Sequence, residues 1–201
     1  GKFNSMPGLG GIITWMSSNS NVKLITNNYY GTDAAGIPDR VRFHSDNSFL
    51  FRYLKGRQGA GVNQAAFSVT GDFGFEKGGG VNGFSSADPT KPAQYFLSLM
   101  AYHRMWFFDK KLAWTVGGGV MENPGRYLVL LPTGEASPLP NPNQPTATAG
   151  QFPFTANPGD PFHAWDCSTN VDFMPTQAMT FRLEYVHRES SVPYFAGHGG
   201  V

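Results

Sequence analysis

Histidines, a lone cysteine and a few carboxylates are the residues best suited to catalysis or metal binding here, and their spacing supports neither. His44, His103, His163, His187 and His198 are scattered, and none stands at a ligand spacing from Cys167 or from a second histidine. Cys167 is the only cysteine, which excludes an intramolecular disulfide framework and a multi-cysteine zinc site. Its expected role is that of an inert apolar filler. Asp160, Asp166 and Asp172 have the chemistry for an acid–base pair or a calcium site, but their Pro, Gly and strand-turn surroundings favour loop and lumen positions. The glycine runs at 78–80 and 117–119 form neither GxGxxG nor GxxxxGK at a strand-to-helix junction, so no nucleotide site follows. Gly117 to Gly119 are expected instead to mark a kink or a close backbone approach within a strand. The residues therefore point to no catalytic group, no cofactor and no metal, and the chain is not expected to be an enzyme.

A second set of charged residues does have a pattern. Arg182 and Glu184 are two apart on the polar side of one segment, with Arg188 further along it, and Arg42, Arg52 and Arg104 occupy polar positions elsewhere. Two readings are open for these six. They line a lumen with fixed charge that favours anionic or polar solutes, or they form a structural ladder of Arg–Glu and Arg–Asp pairs. Both readings need a wet interior, because unpaired charge facing lipid costs about 2 to 4 kcal/mol near the midplane.

The elements that carry these residues are strands. From Gln177 to Arg188, Met179, Phe181, Leu183 and Tyr185 fall on one face, while Thr180, Arg182, Glu184 and Arg188 fall on the other. Such period-two alternation specifies a strand with one apolar and one polar side. Just upstream, Trp165, Cys167, Thr169, Val171 and Phe173 alternate with Asp166, Ser168, Asn170 and Asp172, and the link at Pro175–Gln177 makes the two a tight antiparallel pair. Tyr95 to Phe107 and Leu112 to Val120 form another pair, turning near Asp109 and Lys110. His103 falls on the otherwise apolar face of its strand and breaks the pattern. Ala65, Phe67, Val69, Phe73 and Phe75 alternate with polar neighbours, and residues 12–18 and 22–30 form a weaker pair across Asn19-Ser20-Asn21.

Composition agrees. Charged residues make up 14% of the 201 residues, well under the roughly 25% of soluble domains. Aromatics reach 14%, and 25 Gly and 15 Pro suit many strands joined by turn-rich loops. A net charge of +1 gives no basic field, so nucleic acid is not an expected partner. No stretch approaches the roughly 18 to 20 apolar residues of a membrane helix. The mean hydropathy of −0.28 is that of a soluble protein, but a transmembrane barrel alternates lipid-facing and lumen-facing residues and so averages to an ordinary value.

Loop parity resolves the one ambiguous stretch. Asp39 to Leu54 reads either as a hairpin turning at Asp46-Asn47 or as one long strand with a polar middle. Outer-membrane barrels put short turns on one side and long loops on the other. With a single strand the links alternate short and long, the long ones being about 31–38, 76–93 and 122–162, and about eight strands result. The strands, of roughly 7 to 16 residues, mostly reach the 9 to 11 or so that cross a bilayer at a tilt. Trp15, Tyr30, Tyr95, Trp106, Trp165 and Tyr185 gather towards strand ends, as interfacial girdle residues do. A soluble β-sandwich also alternates and buries aromatics, and remains the alternative fold.

The runs "DRVRFHSDNSFLFRY" (39–53), "NPGRYLVLLP" (123–132), "NPGDPFHAWDCSTNVDFMP" (157–175) and "FRLEYVHRESSVPYFAGHGGV" (181–201) resemble the OmpL-like β-barrel porin family of Gram-negative bacteria, in order and spacing as well as in residues. The resemblance covers most of the chain from about residue 10 onward. It implies an outer-membrane channel with no defined substrate. Family members are longer, and this chain stops at "AGHGGV" without an aromatic-ending terminal strand, so it is expected to be an internal portion of such a protein.

The expected fold is thus all-β, a transmembrane antiparallel up-and-down β-barrel of about eight strands that is complete in itself or part of a larger barrel. Residues 1–201 form a single barrel domain or a fragment of one. The expected function is passive diffusion of small polar solutes across the bacterial outer membrane, with the lipid bilayer as the surrounding partner and a homo-oligomer as an open option. Two other functions compete with it. One is a closed barrel with a structural or surface-interaction role through the 122–162 loop, and the other is a soluble β-sandwich binding module.

Overall fold

In the computed structural model, residues 7–32, 37, 39–85, 93–125 and 162–191 are described. They form one eight-stranded sheet in which every strand pairs antiparallel with its sequence neighbour. The strands are β1 (Leu9–Met16), β2 (Val22–Gly31), β3 (Val41–Leu54), β4 (Val62–Lys77), β5 (Tyr95–Phe107), β6 (Leu112–Asn123), β7 (Phe162–Thr176) and β8 (Met179–Ser190). Among the described residues there is no helix. The sheet is not closed, since no pairing joins β1 to β8, and it suits part of a larger barrel.

β3 is one continuous strand, paired along its length from Val41↔Lys77 to Leu54↔Ala65. Asp46 and Asn47, the candidate hairpin turn, lie in mid-ladder opposite Asp72 and Gly71. The polar middle of β3 does not break the strand because both of its neighbours also supply polar or small partners there. Asn27 and Thr26 stand across from it on β2, and Asp72 and Gly71 on β4.

The period of two divides the sheet into two chemically different faces, and register keeps them in phase across all eight strands. On one face Trp15, Leu24, Phe49, Val69, Ala101, Gly118 and Cys167 follow one another in a row from β1 to β7. On the other, Arg52, Ala66, Arg104, Thr115, Asn170 and Glu184 form a row from β3 to β8. The apolar face is the open one, with Leu99 at 53% exposure and Val120 at 58%. Side chains on the polar face are more enclosed, Ser98, Glu76 and Asp172 all being buried. Polar groups on the sheltered side and apolar groups on the exposed side invert the arrangement of a soluble protein.

Short and long links alternate along the chain. The links after β1, β3, β5 and β7 are short and lie at one end of the sheet, while the ends of β2, β4 and β6, from which the longer links leave, lie at the other. The short-turn end is tied together. Asp109 in the β5–β6 turn accepts a bond from the Gly59 amide at 2.8 Å, and Asn63 donates to the Gly59 carbonyl at 2.9 Å. In the same turn Phe108, Asp109 and Lys110 all adopt the left-handed backbone region. The Lys111 carbonyl accepts from the Met174 amide at 2.7 Å, which extends the ties to β7.

Gly117 to Gly119 prove to be a close backbone approach. A Cβ at Gly117 would overlap the Ala101 carbonyl oxygen and the Tyr102 ring, and one at Gly118 would overlap the Asp166 carbonyl. Only glycine lets β6 sit this close to both β5 and β7.

Candidate functional site

The polar face carries the charge. Its most connected group is Asp172, 1% exposed on β7. Arg182, directly opposite on β8, donates Nε to Asp172 Oδ1 at 2.7 Å and Nη2 to Oδ2 at 3.0 Å. Arg104 reaches the same Oδ2 at 2.7 Å from β5, across the whole width of β6. It also donates to Thr115 Oγ1 at 2.9 Å, and its guanidinium lies 5.0 Å over the Trp106 ring. The crossing needs small residues on β6, and the sequence supplies Ala113 and Thr115 on that face, Ala113 being fully covered. One buried carboxylate thereby ties β5, β7 and β8 together.

A second ionic group stands nearer the long-link end. Glu76 on β4, 4% exposed, accepts from Arg42 Nε of β3 at 2.9 Å, and Arg40 approaches its other oxygen at 3.9 Å. Arg40 in turn donates to the Gly79 carbonyl at 3.1 Å. Between the two ionic groups β3, β4 and β5 carry no lysine or arginine on this face. Ser98 donates to Asp72 at 2.6 Å, and the Ser48 and Thr70 hydroxyls meet at 3.0 Å.

All six residues expected to line a lumen lie on this one face. Three of them, Arg42, Arg104 and Arg182, are held in ion pairs. Arg52 and Glu184 share a row with Arg104, and Arg188 stands opposite Asp166. The two central acceptors, Asp172 and Glu76, were not in that set. Asp172 was visible by alternation with Phe173 and Val171. Glu76 continues the alternation of Gly74 and Phe75 into what the sequence suggested was loop, since β4 runs on to Lys77.

The aromatic candidates divide. Trp15, Tyr30, Tyr95, Trp165 and Tyr185 are on the apolar face, whereas Trp106 is on the polar face beneath Arg104. Tyr30 and Tyr95 fall in one row with Phe43 and Phe75 at the long-link end. Trp15 is next to the end of β1, Trp165 is near the start of β7, and Tyr185 is halfway along β8.

His103, which breaks the apolar pattern of β5, is accounted for by Tyr53. The two rings stack at 5.8 Å and 12°, and the phenol and Nε2 are 2.6 Å apart. Cys167 is exposed on the apolar face rather than packed as an interior filler. Asp160, His198 and most of the 122–162 loop lie outside the described residues. Among the described residues no three His, Cys, Asp or Glu side chains are grouped to hold a metal ion. No helix there is long and apolar enough to cross a membrane, which says nothing about crossing by strands.

An up-and-down antiparallel sheet with an exposed apolar face and a sheltered, ion-paired polar face is the wall of a membrane β-barrel. The chain belongs to the family described as "Putative beta-barrel porin-2, OmpL-like", which it matches over residues 1–200. That membership implies an outer-membrane location and a porin-like role in general terms. No curated protein and no solved structure shows significant similarity to the chain.

Proposed function

We propose that this chain supplies part of the wall of an outer-membrane pore through which small polar solutes diffuse passively. The observation that carries the reading is the separation of the two faces. From β2 to β8 most of the charge gathers on the sheltered side and large apolar side chains face out, whereas β1 carries Ile12 and Met16 on the sheltered side. A wall of this kind contacts water on one side and acyl chains on the other.

In this reading Trp15, Tyr30, Tyr95, Trp165 and Tyr185 meet the bilayer, and Trp106 belongs to the pore wall as the ring beneath Arg104. Charge on the strands of the polar face is balanced, with Arg40 adding one cation beside Glu76 at the long-link end. Lys23, Arg42, Arg52, Arg104, Arg182 and Arg188 stand against Asp46, Asp72, Glu76, Asp166, Asp172 and Glu184. A balanced lining raises no strong field for either sign, so this wall favours polar solutes without strong preference for anions or cations. The ion pairs run along the wall between strands, which makes them braces of the wall more than obstacles across a lumen.

Planar-bilayer recording of the full-length protein tests the proposal. Stepwise conductance with a reversal potential near zero in a KCl gradient is expected. A tight seal with no steps would overturn the open pore, and a strongly ion-selective current would overturn the balanced lining.

A further inference from the structure

Basic side chains gather at the short-turn end of the sheet. Among the described residues Lys23, Lys55, Lys110 and Lys111 lie there, and Lys77 is the one lysine at the other end. The links after β3 and β5 (55–61 and 108–111) carry Lys55, Arg57, Lys110 and Lys111 against a single acid, Asp109. All four cations are exposed, and among the described residues no ion pair joins any of them to a carboxylate. At the long-link end the outward face carries Glu122, His163 and Glu189 instead, Glu122 accepting from the Tyr95 hydroxyl at 3.2 Å.

Hydrogen bonds hold the two basic links against each other. The Asp109 carboxylate accepts from the Gly59 amide at 2.8 Å, and the Asp109 amide donates to the Gly59 carbonyl at 3.3 Å. Asn63 Oδ1 accepts from the Lys110 amide at 3.3 Å, while its Nδ2 donates to the Gly59 carbonyl. The Lys55 ammonium donates to the Asn19 carbonyl at 2.8 Å, which brings in the β1–β2 turn. Phe108, Asp109 and Lys110 hold left-handed backbone at φ 51°, 52° and 68°, a strain that non-glycine residues carry to form this turn. Like charges assembled in this way repel one another, and an anion bound among them relieves the repulsion.

The outward face next to these links ends in an apolar row. Phe107, which ends β5, and Leu112, which begins β6, stand in register with Phe173 and Phe181 of β7 and β8. Phe108, within the basic link itself, is 52% exposed. The sign of the charge selects an anion, and the apolar row sets the cations at the rim of the hydrocarbon layer, where the nearest anions are lipid phosphodiesters. We propose that the joined β3–β4 and β5–β6 links form a docking platform for anionic phospholipid headgroups in the leaflet at the short-turn end. The lysine ammoniums act as point charges on the phosphate, and Arg57 offers it a fork of N–H donors. Phe108 sits beside them at headgroup level, as interfacial aromatics do. Clusters of about four or more cations beside a membrane-crossing element attract anionic lipid by this physics. The inference rests on the proposed bilayer placement of the apolar face.

The test uses the full-length protein in neutral detergent, titrated with phosphatidylglycerol or with phosphatidylcholine of the same acyl chains. Bound lipid is counted by native mass measurement. Phosphatidylglycerol is expected to bind about tenfold more tightly, and the quadruple variant Lys55→Gln/Arg57→Gln/Lys110→Gln/Lys111→Gln is expected to lose that preference. Lys77→Gln, at the other end of the sheet, is expected to keep it. Should the quadruple variant fail to fold, Lys110→Gln/Lys111→Gln decides, since it leaves the ties between the links intact, with an expected loss of about threefold. Equal binding of the two lipids, a preference indifferent to these variants, or an equal loss in Lys77→Gln would each overturn the proposal. So would displacement of the lipid by inorganic phosphate or by an acidic polysaccharide at the same concentration. A preference for phosphatidylglycerol in a protein that does not conduct would contradict the pore and leave the platform standing, and a conducting protein without the preference would do the reverse.

Discussion

Two ionic groups built from the same residue types brace the polar face in different ways. At Asp172 one buried carboxylate gathers two arginines from strands on either side of its own, and one of those arginines spans β6 to reach it. At Glu76 the main bond joins two adjacent strands that the backbone ladder already pairs, and Arg40 adds a longer contact. The first group links strands that are not neighbours, so it carries information about the curvature of the wall. The second reinforces a pairing that register fixes anyway. Removing the acceptor from each should therefore have unequal effects.

Asp172→Asn is expected to cost the most, about 3 kcal/mol, the scale for breaking a buried ion pair and leaving its cations without a counter-charge. Urea unfolding of the protein folded in lipid vesicles reads it, and a loss no larger than that of Glu76→Gln would erase the distinction. Ala113→Phe comes next, at about 2 kcal/mol, because it inserts bulk where Arg104 must cross β6. Its effect should largely vanish when Arg104 is already replaced by Gln, which a double-mutant cycle would show. Glu76→Gln is expected to cost about 1 to 2 kcal/mol, since Arg42 remains partly solvated. Arg182→Gln should move the unfolding midpoint least, because half its side chain faces solvent and Asp172 keeps Arg104. Asp172→Asn and Glu76→Gln together should sum, as the two groups share no partner.

Alternation and loop parity made the strand count, the single long β3 and the two faces legible in the sequence, because both are local or near-local signals. All six charged candidates share one face of the sheet by the same alternation. Their partners were harder to see. The bond from Arg104 to Asp172 joins residues far apart in sequence and two strands apart in space, and it depends on Ala113 being small between them. The pairing of His103 with Tyr53 was likewise invisible, since it joins β5 to β3 across β4. Trp106 illustrates the limit of reading aromatics by position near a strand end. Parity alone puts it on the polar face, where it serves Arg104.

The central claim is that the sheltered polar face meets water and the open apolar face meets lipid. Single cysteines in a Cys167→Ser background of the full-length protein in liposomes test it most directly, by labelling with a charged, membrane-impermeant thiol reagent. Ser48→Cys and Thr70→Cys should label readily and block part of the conductance, while Leu99→Cys and Val120→Cys should label only with a lipid-soluble reagent. Rapid labelling of positions 99 and 120 by the charged reagent, with 48 and 70 protected, would contradict the account.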